Sequence, residues 1–214
     1  MQASSQRPRP ATKTPIPAPE QPDTPTKVLT MPAPPIVVSE MDKHHLALIR
    51  QNVAGFVQTL AQRWVNPDLR LVLDVAPQDY AGARPFFPPE VLVETLDINP
   101  AAGCTYTGDI CHVNPQVASS RYDLVVCTEV LEHTLQPFDA VRELRRMLKP
   151  GGILALTTPF NFRIHGPLPD CWRFTVHGLR ALLQDFDDVT VGELQTPGRD
   201  LMPIHYTATA RKPL

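Results

Sequence analysis

Between Tyr122 and Pro159 the chain reads YDLVVCTEVLEHTLQPFDAVRELRRMLKPGGILALTTP, and few folds accept that order of segments. Leu124, Val125, Val126 and Cys127 form an apolar run led by Asp123, the pattern of a strand buried on both faces of a parallel sheet. Further on, Phe138, Val141, Leu144, Met147 and Leu148 recur at three- and four-residue steps, with Arg142, Glu143, Arg145 and Arg146 between them. That spacing sets one stripe of a helix against a core. Lys149 complements the helix C-terminus, Pro150-Gly151-Gly152 stops it, and Ile153 to Thr157 supplies a second buried strand. Strand, charged turn, helix and strand make half of a nucleotide-type α/β fold. In open α/β sheets ligands bind beyond the carboxyl ends of the strands, which is where Glu129 and Pro159 fall.

The N-terminal segment cannot share this architecture. Pro8, Pro10, Pro15, Pro17, Pro19, Pro22, Pro25, Pro32, Pro34 and Pro35 deny it helix and interior strand, so residues 1–38 read as a disordered or polyproline-like tail. A solvated extension is the plain reading, and a proline-recognition motif offered to a protein partner is the other. Residues 39–214 form the second region and begin with a helix over 41–65, where Leu46, Ile49, Val53, Phe56, Val57 and Leu60 share one stripe. A chain of 214 residues with 43% hydrophobic residues can bury one good core. Its net charge of −2 gives none of the basic excess of a nucleic-acid binder. Cys104, Cys111, Cys127 and Cys171 lack C-x-x-C spacing and read as reduced thiols of a cytoplasmic protein. The opening MQASSQRPRP has no apolar signal segment, and no run approaches the roughly 20 apolar residues of a membrane span.

The block from Asp123 onward, with its D-x-V-x-x-x-E-V-L-E-H turn and a helix ending in L-K-P-G-G, resembles the class I S-adenosylmethionine-dependent methyltransferases. The resemblance runs from roughly Leu71 to Lys212. It implies a three-layer, Rossmann-like α/β sandwich around a seven-stranded, mostly parallel sheet with an antiparallel last strand. The strands are expected near Leu71–Val75, Val91–Leu96, Cys104–Tyr106, Leu124–Cys127, Ile153–Thr157, Val189–Leu194 and Ile204–Ala210. It also implies S-adenosylmethionine as cofactor. The helix ahead of the first strand then either covers the mouth of the site or simply packs on the sheet.

The first strand, Leu71-Val72-Leu73, ends in Asp74, and the family follows such an acid with a glycine-rich turn through which the backbone approaches the cofactor. This chain departs from that pattern: Asp74-Val75-Ala76-Pro77-Gln78-Asp79-Tyr80-Ala81 has no glycine until Gly82. Ala76 is the smallest replacement, and Pro77 presets a rigid turn. The dinucleotide fingerprint G-x-G-x-x-G is absent, which counts against a nicotinamide oxidoreductase. Asp97 closes the second strand, where an acid can accept both hydroxyls of a ribose, and Asp109 follows the third, matching the family's adenine-side acid. The cofactor-binding set implied is Asp74, Ala76, Asp97, Ile98, Asp109, Ile110 and Thr128.

On the acceptor side, Glu129, Glu132 and His133 stand at i, i+3 and i+4, so a helical turn would set all three on one face. His165 lies in the loop after the next strand, at the same sheet edge. Glu129, Glu132, His133 and His165 can therefore hold a divalent ion, magnesium or manganese ahead of zinc or iron. This arrangement resembles the metal site of small-RNA terminal 2′-O-methyltransferases, whose ion grips the acceptor ribose hydroxyls. Without metal, His133 and His165 are the candidate catalytic proton acceptors, while Glu132 caps the following helix. The loop Pro167–Thr175 resembles the P-D-Y-W-R-F-T segment of methyltransferases found beside sugar and cell-surface polymer biosynthesis, with Cys171 in place of tyrosine. That implies a hydroxylated small-molecule or glycan-linked acceptor. Arg173 either pairs with Asp170 or binds an anionic substrate, Trp172 either stacks on a sugar or fills the core, and Thr175 caps a helix over Val176–Leu183. His44, His45, His112, His177 and His205 receive no role. The reading is an O-methyltransferase using S-adenosylmethionine, with metal assistance as an option. Its alternative is a catalytically silent binding or regulatory subunit that kept the fold.

Overall fold

A computed structural model describes residues 37–64, 69–77 and 82–214, so the expected tail over 1–38 lies almost wholly outside the described residues. The first helix, α1 (Glu40–Trp64), begins after Ser39, whose Oγ accepts from the Asp42 backbone N–H at 3.1 Å and donates to the Asp42 carboxylate at 2.7 Å. This is the side-chain cap that a helix start requires. Strands β1 (Leu71–Val75), β2 (Leu92–Asp97), β3 (Tyr106–Thr107) and β4 (Tyr122–Thr128) precede helix α2 (Pro137–Met147). Then follow β5 (Leu148–Pro159), α3 (Val176–Leu182), β6 (Asp187–Leu194) and β7 (His205–Arg211). The seven strands lie in the order β3-β2-β1-β4-β5-β7-β6. Neighbours among the first five are parallel, and β7 runs antiparallel to both β5 and β6. This is the sheet the sequence led us to expect.

Alternation along the central strands builds the layers. Leu73, Val125, Cys127, Leu154 and Leu156 point to the face covered by Val141, Leu144 and Met147 of α2 and Leu179 and Leu182 of α3. Their neighbours Val72, Leu124, Val126, Ile153 and Ala155 point to the opposite face, against Val57, Leu60 and Ala61 of α1. Continuous apolar runs are thus explained by burial on both sides of each strand.

One expectation needs correcting. The helical stripe does not continue through Leu148, because α2 ends at Met147 and Leu148 is already extended, with φ −69° and ψ 142°. Lys149 precedes Pro150, and a residue before proline is pushed out of the helical region. Lys149 therefore lies in β5 and pairs with Asp123 at 2.5 Å instead of complementing the helix end. Among the described residues no helix is long and apolar enough to cross a membrane.

Candidate functional site

A cavity of about 480 Å³ opens at the carboxyl ends of β1 and β4. Leu46, Ile49, Val53, Ala54 and Val57 of α1 form its apolar wall, so this helix covers the mouth as well as packing on the sheet. The opposite wall carries Asp74, Ala76, Thr128, Glu129, His133 and His165. Its size lies within the range of roughly 300–1,000 Å³ usual for small-molecule sites.

The β1 turn resolves the missing glycines. Ala76 sits at φ 53°, the left-handed region a glycine would occupy at little cost. Gly82, at φ 57°, brings its backbone so close to the Asp74 carboxylate and Pro77 that a Cβ would clash with both. Asp74 is buried, and its Oδ2 accepts from the Ala83 backbone N–H at 2.6 Å. Burial pushes its carboxyl up to about 6, partly offset by that hydrogen bond.

Other residues expected on the cofactor side do not line the cavity. Asp97 ends β2, with Oδ1 accepting from Asn99 N–H at 2.8 Å. Asp109 accepts from Cys111 N–H at 2.8 Å and lies 3.3 Å from His112. Ile98 is exposed, whereas Ile110 packs in the core rather than at a ligand face.

The acceptor side is assembled by two loops tied together. Leu131–His133 forms a single 3-10 turn after β4. The backbone N–H groups of Cys171 and Trp172 donate to the Glu132 carbonyl at 2.7 and 3.2 Å. Trp172 Nε1 donates to the Thr134 carbonyl at 2.7 Å. These bonds pin the post-β5 loop onto the post-β4 turn and bring His165 to His133, ring centroids 4.9 Å apart.

Ligand-type atoms of Glu132, His133 and His165 all lie within 4.8 Å of one another. His133 Nδ1 donates to the Pro169 carbonyl at 2.9 Å, and its Nε2 lies 3.7 Å from Glu132 Oε1. In His165, Nδ1 faces Asp170 Oδ2 at 3.1 Å and Nε2 lies 3.9 Å from Glu132 Oε1. Glu132 itself is fully buried, and neither carboxylate oxygen has a hydrogen-bond partner. Burial, joined by the charge of nearby Glu129, holds its carboxyl well above the usual carboxylate range. Burial lowers His165. Asp170 is raised by burial, but its paired bonds from Arg173 at 2.5 and 2.7 Å and the His165 N–H outweigh that and hold it at about 2. Arg173 is thus the structural partner of Asp170, and Thr175 caps α3 by accepting from Gly178 N–H.

Glu129 does not join the cluster. It lies at φ 55°, outside any helix, so the shared face expected for Glu129, Glu132 and His133 does not form. Its Oε1 instead accepts from Thr157 Oγ1 at 2.8 Å and from His205 Nε2 at 2.6 Å, while His205 Nδ1 meets the Asn52 amide at 2.8 Å. Nor does Glu132 cap α2, whose preceding residue Gln136 makes no side-chain cap. Sequence reasoning passed over His205 and Asn52. The one available signal was that His205 falls at the start of the expected antiparallel last strand, and an antiparallel strand begins at the ligand edge.

Residues 73–156 match a family profile described as a methyltransferase domain. No curated protein is similar to the chain in sequence. Among solved structures, the CurJ carbon methyltransferase superposes with a TM-score of 0.59 at 16% identity, over 82% of this chain and 59% of that one. A Haemonchus contortus phosphoethanolamine N-methyltransferase 2, in complex with S-adenosyl-L-methionine, gives 0.57 at 13% identity, over 77% of this chain and 53% of that one. The N-methyltransferase NodS from Bradyrhizobium japonicum, in complex with S-adenosyl-L-homocysteine, gives 0.54 at 16% identity, over 77% of this chain and 87% of that one. The chain thus spans under two thirds of the first two proteins.

Proposed function

We propose, from a fold like that of class I S-adenosylmethionine-dependent methyltransferases and a methyltransferase-domain match over residues 73–156, that this chain methylates a hydroxyl oxygen of a small-molecule or glycan-linked acceptor. The cofactor, when bound, supplies an electrophilic sulfonium methyl group. The β1 turn fits such a group: Ala76 and Gly82 adopt the left-handed backbone that close approach needs, and Asp74 holds the turn shut through Ala83. Asp74, Ala76 and Thr128 would border it in the cavity, with Asp97 available at the end of β2. Methyl transfer is a displacement limited mainly by alignment, so what the protein supplies is a dry, shaped cavity and a fixed acceptor.

The observation that carries the oxygen-acceptor reading is Glu132, a buried carboxylate with both oxygens unpartnered and two imidazole Nε2 atoms facing it. A buried polar group without partners is costly unless something binds it. One carboxylate and two imidazoles, each imidazole steadied at Nδ1 by an acceptor, form a donor set for a divalent ion. Ligands about 2 Å from an ion stand about 3–4 Å apart, so the observed spacing needs only a small contraction. Manganese or magnesium suits the carboxylate, and zinc or iron(II) suits the imidazoles. Such an ion would orient a hydroxyl beside the cavity and lower its pKa.

Calorimetry with S-adenosylhomocysteine tests the methyltransferase reading against a silent module of the same fold. Binding is expected, seen as heat of association and a rise in melting temperature. Absence of heat and of any thermal shift would favour the silent module.

A further inference from the structure

Among the described residues three acids stand around the cavity; Asp74 and Glu129 line it, but Asp74 is only 3% exposed. Asp74 is turned into its own loop, where it accepts from Ala83 N–H. Glu132 is fully buried behind the turn. Glu129 keeps 23% of its side chain exposed and lines the cavity. Its conformation is fixed from several sides. The Glu129 backbone N–H donates to Thr157 Oγ1 at 3.2 Å and to the Thr157 carbonyl at 3.1 Å, holding the residue at φ 55°. That region is one a glutamate seldom adopts, and such backbone outliers gather at functional sites.

The side chain is fixed as firmly. A carboxylate accepting from an imidazole requires the proton on His205 Nε2, which leaves Nδ1 to accept from the Asn52 amide. Asn52 belongs to α1, the helix that roofs the cavity, and His205 is completely buried at the start of β7. Both described bonds fall on Oε1, and the apolar wall of α1 keeps the surroundings poor in water, where a hydrogen bond is stronger. A buried, doubly satisfied histidine spent on a cavity carboxylate is more than core filling demands.

We propose that Glu129 is the residue that grips the acceptor, taking the hydrogen bond from its hydroxyl and receiving that proton as the new O–CH3 bond forms and the S–CH3 bond breaks to leave S-adenosylhomocysteine, and that His205 and Asn52 are positioning residues that aim it. The proposal rests on the methyltransferase reading but not on metal. It sets a carboxylate in a cavity that Arg50 also lines, and selects for an acceptor group that can donate to that carboxylate, such as a hydroxyl.

The test needs no knowledge of the acceptor. Sinefungin carries a primary amine, on carbon, where the cofactor carries its sulfonium methyl, and S-adenosylhomocysteine carries nothing there. A carboxylate facing that position should favour sinefungin. Calorimetry on the full chain is expected to show sinefungin binding about tenfold more tightly than S-adenosylhomocysteine, as a charge-assisted bond would give. In Glu129→Gln the preference should fall below about twofold, with S-adenosylhomocysteine affinity within about twofold of the original. His205→Leu should lose most of the preference, and His205→Gln, whose amide can still donate, should recover it. Retained preference in Glu129→Gln, or none in the unaltered protein, overturns the proposal alone. If the unaltered protein binds neither ligand, the methyltransferase reading fails and this proposal fails with it.

Discussion

The imidazoles of His133 and His165 meet edge to face, 4.9 Å between centroids, with the carboxylate of Glu132 buried beneath both Nε2 atoms. His133 comes from the turn after β4 and His165 from the loop after β5. Their meeting depends on Cys171 and Trp172, whose N–H groups bind the Glu132 and Thr134 carbonyls.

That meeting makes a metal prediction. The protein should bind manganese(II), observable as loss of the free-ion paramagnetic resonance signal. His165→Ala should weaken this at least about tenfold, the scale on which metal sites respond to altered ligand support. Affinity for S-adenosylhomocysteine should stay within about twofold if, as proposed, the cluster serves the acceptor and not the cofactor. Unchanged manganese binding in His165→Ala would remove the cluster as its site.

Asp74 gives a prediction with a sign. Its folded-state pKa of about 6 lies above the unfolded value of 3.8, so the stability linked to its proton is full below pH 3.8 and is lost as pH rises through about 6. Asp74→Asn, which stays neutral and can still accept from Ala83, should raise stability by about 2–3 kcal/mol at pH 7.5. The gain should vanish below pH 4. Urea unfolding at the two pH values measures it. The same variant should bind S-adenosylhomocysteine more weakly, a trade of function for stability common at strained sites.

Away from the cavity, Glu94 collects the hydroxyl of fully buried Tyr122 at 2.7 Å and the Arg121 guanidinium at 3.1 and 2.5 Å. Glu94→Ala strands a buried hydroxyl and a paired cation, and should cost about 2–4 kcal/mol in denaturant unfolding. A loss below 1 kcal/mol would show that the network relaxes around the gap.

The central strands were legible in the sequence because burial on both faces writes itself as continuous apolar runs, whereas the seven-stranded sheet as a whole was expected only from the resemblance to a known family. Leu71–Val75 and Leu124–Cys127 need no distant information to be read as strands. The middle of the α2 stripe, Val141, Leu144 and Met147, was legible for a similar reason, since its periodicity is local, but Phe138 is exposed and Leu148 already lies in β5, where Pro150 keeps Lys149 extended. The glycine-poor turn was readable as a departure, but only the backbone showed that Ala76 takes the glycine conformation itself. At the site, sequence spacing named Glu129, Glu132 and His133 together, and the fold kept Glu132 with His133 but took Glu129 away. A positive φ at Glu129 breaks the helical geometry on which i, i+3, i+4 reasoning depends, sending its carboxylate to His205 while Glu132 turns to His165. Spacing along a chain fixes neighbours only where the backbone repeats. Partners such as Asn52, Glu129 and His205 are joined by sheet order and helix packing, so tertiary structure alone decided them.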